Sequence, residues 1–374
     1  ADAAPPFFRF SPVSLSLSPL ESDFSLPMLS ASHRILCVRP ALLFCGLLLT
    51  VCGCATTEFV HLREKPHNPL TERMNTTAFG VVKYSQRTDL FLRQTNYRGQ
   101  ADLKSMIVHT QQHLDTELFH DAAHALAELK YLAAEAARIH DVQLASELYF
   151  DSARSAWRYF STPDSSGRRP NPVDPQHRGT AEVYNASSEH LLRIARSVGK
   201  IKLGQSIYMP LTYRQLQFEI PYSSRLLTYD QMGDFEFVSD FQLKNLRSHN
   251  ASHGLGVPII AIRGQAENPS PVEKYYTQGM SFSATLILRF DDDSPNGGRL
   301  QIFDPRESDE LLIGDAILPL EADVSTPLAR YLSNKDLSLL DTWGFIRPDR
   351  AAKVSGLYMV QPYDPDRIPV LMVH

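Results

Sequence analysis

His109, His113, His120 and His124 are the residues of this sequence whose type and spacing come nearest to a metal centre. Imidazole is a common zinc ligand, and histidines four positions apart share a helix face, as in His120-Asp121-Ala122-Ala123-His124. The run echoes the HExxH pattern, in which a glutamate between the histidines is the general base of a metalloprotease. Asp121 stands in that place with one methylene fewer, and the spacing indicates no third ligand. On one continuous helix the four would fall within about 60°, at about 100° per residue. The same arithmetic centres them about 130° from the leucine stripe of that segment, so a solvated polar face is expected rather than a metal centre.

Nucleophilic chemistry is poorly provided for. A serine hydrolase carries its nucleophile on a G-x-S-x-G elbow, and no such run occurs in the 374 residues. Gly279-Met280-Ser281-Phe282-Ser283 ends in serine where glycine is needed for the tight turn. The four cysteines, Cys37, Cys45, Cys52 and Cys54, all precede residue 55, which excludes a disulfide framework, a cysteine zinc site or a thiol nucleophile from the rest. Asp291-Asp-Asp-Ser-Pro-Asn-Gly-Gly298 lacks the order of an EF-hand loop and suits a hairpin turn. Gly254-Leu-Gly256-Val-Pro258 is too short and too proline-bound for a dinucleotide loop, and serves as a turn into a strand at Ile259. No catalytic residue and no cofactor is therefore expected within the chain.

The elements that would position these residues are ordinary. With 43% hydrophobic and 21% charged residues the chain is long enough for two or three globular domains. A net charge of -5, from 37 basic and 42 acidic residues without long blocks of either sign, offers no footprint for nucleic acid. Leu103, Ile107, Leu114, Leu118, Ala125, Leu129, Leu132 and Ala136 recur at helical steps, and Leu144, Leu148, Ala153, Ala156 and Tyr159 repeat the habit. Their small alanines permit close helix packing, and a third segment, EVYNASSEHLLRIARSVG, follows a Pro/Gly/Ser-rich loop. A helical, helical-hairpin-like bundle is expected over 101–200. From about Gln205 the runs QLQFEI, FEFVSDFQ, PIIAIRG, SFSATLILRF, RLQIFDP and DAILPL predict an antiparallel β domain over 201–350, so the fold class is α+β. Thr326-Pro-Leu-Ala-Arg-Tyr-Leu332 predicts a short helix, and the sequons at Asn75, Asn185 and Asn250 are given no role.

The two ends carry the most specific patterns. Arg34 and Arg39 precede an apolar run from Ala41 to Val51, a length that suits a secretory signal and falls short of the roughly 20 residues of a spanning helix. Val51-Cys52-Gly53-Cys54 resembles the bacterial lipobox, which implies cleavage before Cys54 and a lipid on its sulfur. An ordinary signal cut at a small-residue site, or an uncleaved anchor, fits the same stretch. Residues 1–27 lie upstream of Met28 and are expected to be a non-native extension, 28–53 the signal peptide, and 54–100 a polar tether.

At the other end, Val354–Gln361 and Ile368–Val373 predict strands around a Pro362–Arg367 turn, the second apolar enough to be covered on both faces. "YMVQPYDPDRIPVLMVH" resembles the opening of an α/β-hydrolase domain, where such a strand runs into a His-Gly turn that helps form the oxyanion hole. With the lipobox and the helical and β segments, the chain resembles the front portion of bacterial lipid-anchored α/β-hydrolases, a family of esterases or lipases. The resemblance implies that 354–374 begins a hydrolase core, that His374 is the histidine of the oxyanion turn, and that the triad lies beyond this chain. It also implies a membrane attachment through lipid and an acyl-ester substrate for the full-length parent. The competing expectation is a complete lipoprotein that binds or scaffolds in the cell envelope, with a protein partner for the helical region.

Overall fold

The computed structural model describes residues 58–70, 84–99, 102–198, 207–210, 215–219, 232–246, 249–264, 271, 279–290 and 297–333. The expected signal, Cys54, the predicted strands after residue 353 and His374 lie outside them. The architecture is α+β. After β1 (Val60–Leu62) come α1 (Gln86–Gln94), α2 (Leu103–Gln111), α3 (Phe119–Ala137), α4 (Val142–Ser161) and α5 (Pro175–Val198). Eleven short strands and a closing helix follow: β2 (Ile207–Pro210), β3 (Gln215–Glu219), β4 (Met232–Phe237), β5 (Phe241–Leu243), β6 (Ala251–Ser252), β7 (Val257–Arg263), β8 (Ser281–Arg289), β9 (Gly298–Phe303), β10 (Glu310–Ile313), β11 (Ala316–Pro319), β12 (Ala322–Asp323) and α6 (Ser325–Leu332).

The helices begin where side-chain oxygens can take the orphan amides of a first turn. Asp102 accepts from Ser105 N–H and Asp141 from Leu144 N–H, both at 2.9 Å, while Asp174 accepts from Gln176 N–H with Pro175 at the first helical position. α3 is buried on two faces. Ala122, Ala125 and Leu129 pack with Phe91, Leu92 and Met106 of α1 and α2. Ala123, Ala127, Tyr131 and Ala134, offset by one position, belong to the large core shared with α4, α5 and the sheet. Each set steps by three or four residues, so α3 carries two helical stripes where the sequence predicts one. Two of the predicted core positions are exposed: Ala136 at the end of α3, and Leu144, 43% exposed in the first turn of α4.

The main sheet has the order β2-β3-β9-β8-β7-β4 and is antiparallel except for the parallel pairing of β3 with β9. β8 and β9 pair with Arg289 opposite Arg299, so the expected hairpin is present, although its turn residues 291–296 are outside the described set. β8 is buried from Ser281 to Leu288 because both faces are covered. On one side the hydroxyls of Ser283 and Thr285 donate to the carbonyls of Asp323 and Glu321. On the α5 side Tyr184 accepts from Leu288 N–H at 2.8 Å and donates to its carbonyl at 2.7 Å. That reciprocal pair, with Phe290 against Phe150 and Trp157, seats α4 and α5 on the sheet.

The segment expected to be a tether contains structure. β1 pairs antiparallel with β5, and α1 starts at Ser85, whose hydroxyl accepts from Thr88 N–H. These elements are too short to declare themselves by periodicity and form because distant partners complete them.

Candidate functional site

The histidine stripe does not survive as one surface. α2 ends at Gln111 and α3 begins at Phe119, so the four residues share no continuous helix and the angular phase is reset between them. His109 Nε2 bonds Thr95 Oγ1 at 2.8 Å, with the His113 ring 5.0 Å away. His120 Nε2 reaches the carbonyl of Thr162 at 3.1 Å. His124 overturns the solvated-face expectation: it is 3% exposed and its Nδ1 lies 2.8 Å from Thr180 Oγ1 on α5. Because that hydroxyl already donates to the carbonyl of Gln176, Nδ1 carries the proton and donates to Thr180. Burial pushes the His124 pKa down, so the ring is neutral at pH 7. Among the described residues no group of three or more His, Cys, Asp or Glu is arranged to hold a metal ion.

One helical turn on, Glu128 is 1% exposed and is spent on α1. It accepts from Ser85 N–H at 2.6 Å, from Ser85 Oγ at 2.8 Å and from the Thr88 hydroxyl. A buried carboxylate thus satisfies the amino end of a neighbouring helix, where the macrodipole also favours negative charge. Spacing within the sequence contains no sign of this contact.

Ser281 and Ser283 are interior residues of β8, 6% and 5% exposed. The chain continues as strand through them rather than turning into a helix, which removes any resemblance to a nucleophile elbow. The glycine turn behaves as expected. A Cβ on Gly254 would stand 2.0 Å from the carbonyl oxygen of Pro319, and Gly256 has φ 124°. Asn185 locks this turn, donating to the Gly254 carbonyl and accepting from Gly256 N–H. Both ends of its amide are therefore engaged, one N–H on the Gly254 carbonyl and the oxygen on Gly256 N–H.

The candidate site is a cleft of about 1400 Å³ along α5, walled by Arg63, residues 65–69, the end of α3 and the loops before β7 and β12. Its polar focus is Glu135 of α3. Oε1 of Glu135 accepts from the hydroxyl of Tyr149 on α4 and lies 3.4 Å from His190 Nε2 on α5. The His190 and Tyr149 rings stack at 5.0 Å with an interplanar angle of 9°. Asn68 Nδ2 donates to Tyr131 OH at 2.6 Å beside them. Burial, opposed by the Glu135 carboxylate, pushes the His190 pKa down to about 4, so the imidazole is neutral at pH 7. Burial and the bond to Glu135 raise the Tyr149 pKa, so it remains a phenol.

Further along the cleft, Arg193 bonds Glu189 at 2.8 Å and Asp240 at 2.7 Å. Burial pushes the Glu189 carboxyl up against the pull of Arg193. The cleft's hydroxyl groups are all committed. Ser239 donates to Glu189, Thr326 to Asp323, and Ser197 to the carbonyl of Ile194. None of these three hydroxyls is hydrogen-bonded to a histidine.

No protein-family model, no curated protein and no solved structure matches the chain. No described helix is long and apolar enough to cross a membrane.

Proposed function

We propose that this chain is the leading part of a lipid-anchored serine ester hydrolase of the bacterial envelope, and that its helix-and-sheet body is a non-catalytic binding module. The observation that carries the reading is the run from Tyr358 to His374, which resembles the entry strand and His-Gly turn of an α/β-hydrolase core. The cleft along α5 supports the second half, because its hydroxyls are tied to ion-paired carboxylates and a carbonyl rather than to a histidine. In this reading export and anchoring are supplied by residues 28–54, with the lipid on Cys54 and a thioether holding it to the membrane. His374 contributes to the oxyanion turn and is not the triad base, which follows the nucleophile in this fold. Acyl transfer to water would proceed through an acyl-serine in the part of the parent protein beyond this chain.

Three measurements test it. The coding sequence after His374 is expected to give glycine next and a G-x-S-x-G elbow within a domain length; a continuation without either sinks the hydrolase half. The chain itself is expected to hydrolyse no short-chain esters and to take no serine-reactive label above background. Replacing Cys54 by serine is expected to abolish labelling by a fatty-acid probe, and unchanged labelling would show the anchor assignment to be wrong.

A further inference from the structure

The walls of the α5 cleft specify an occupant, independently of the hydrolase reading. Arg178 near the start of α5 and Ser197 near its end both line the cleft, about 29 Å apart at 1.5 Å rise per residue. Between them the charged groups are paired with one another: Arg178 with Glu182 at 3.0 Å, Arg193 with Glu189 at 2.8 Å, and His249 with Asp323 at 2.9 Å. The wall backbone is satisfied too. Gly254 and Gly256 are bonded to Asn185, and Leu255 N–H to the Pro319 carbonyl. An extended peptide would need an unpaired strand edge to add to, and this stretch of wall has its backbone groups already engaged.

Uncompensated charge gathers at one end. Arg63 spends Nε on the Phe241 carbonyl but faces no carboxylate within ion-pair distance among the described residues, and Lys65 is exposed without a partner there. Both belong to the segment tied to the carboxyl-terminal half of α5, since His67 N–H donates to the Ser239 carbonyl and Arg193 bonds Ser239 Oγ. The opposite end is lined by Phe160, Pro172, Ala181 and Ile317, with His177 and the mutually paired Arg178 and Glu182 beside them. A long cleft with self-paired walls, two cations at one end and apolar side chains at the other fits a chain-like anion. We propose that it binds one long-chain carboxylate, with the head group against Arg63 and Lys65 and the hydrocarbon laid along α5 toward Ile317.

Calorimetric titration of this chain with dodecanoate, tetradecanoate and their methyl esters, each below its micelle concentration, tests the proposal. One saturable site is expected, with affinity rising about fourfold per added methylene. Lys65→Glu is expected to weaken the carboxylates roughly fivefold and leave the esters unchanged, whereas Ile317→Asp weakens both. Lys65 and Ile317 are exposed, Ile317 by 62%, so both variants should fold, as an unchanged thermal midpoint will report. Absence of saturable uptake, or uptake indifferent to both substitutions, overturns the proposal, including the case in which extended peptides bind and fatty acids do not.

Discussion

Replacing His190 by glutamine isolates the electrostatics of the cleft. His190 is wedged between Tyr149 and Glu135, its side chain 23% exposed, and burial holds its pKa near 4 instead of the ordinary 6.5. A histidine whose folded pKa lies below its unfolded value leaves the native state with fewer protons than the unfolded chain. Its contribution to stability is therefore complete above the unfolded pKa of 6.5 and is lost as pH falls toward about 4. At roughly 1.4 kcal/mol per pKa unit the whole gap corresponds to about 3 kcal/mol, of which about 2 kcal/mol disappears between pH 7 and pH 4.5. Glutamine keeps a polar side chain beside Glu135 but cannot take up a proton. The groups facing the site, Glu135, Arg138, Arg193 and Tyr149, are common to both proteins, as are the other histidines whose pKa burial lowers, His109, His120, His124 and His177. Urea denaturation at pH 7 and pH 4.5 should accordingly show the variant losing about 2 kcal/mol less than the parent on acidification. Equal losses in the two proteins would refute the placement of a buried neutral imidazole at this position.

Glu128→Ala leaves Ser85 N–H, Ser85 Oγ and Thr88 Oγ1 without their acceptor, and should cost about 3 kcal/mol with faster hydrogen exchange in α1 than in α4; protection unchanged in α1 would contradict the capping role. Gly254→Ala drives a methyl group to within 2.0 Å of the Pro319 carbonyl oxygen and should destabilise by about 2 kcal/mol in thermal or urea unfolding, so a neutral outcome would mean the two segments do not approach there.

Much of the β region was legible because strands announce themselves locally. PIIAIRG and SFSATLILRF became β7 and β8, and RLQIFDP became β9, since branched and aromatic residues bounded by turns describe a pleated surface whatever lies beyond it. FEFVSDFQ reads as one run but divides into β4 and β5 around a single turn of 3-10 helix at Val238–Asp240. Helical stretches were legible as stretches. Their faces were not, because residues 112–118 break the helix and reset the phase on which any stripe depends. His124 is the clearest case: its partner Thr180 is 56 positions away, and nothing near it in the chain distinguishes it from a solvated histidine.

The cleft illustrates the same division. Asn68, Tyr131, Glu135, Tyr149 and His190 come from a loop and three helices, and no spacing rule links them. By itself the sequence determined the fold class, most strand positions and the absence of cysteine side chains after Cys54. These are matters of composition, short period and local motif. Only the tertiary structure decided which polar residues are buried, what each one bonds and where a ligand can lie. Burial and hydrogen-bond partnership depend on elements far apart in the chain, and a side chain's pKa follows from them rather than from its neighbours in sequence.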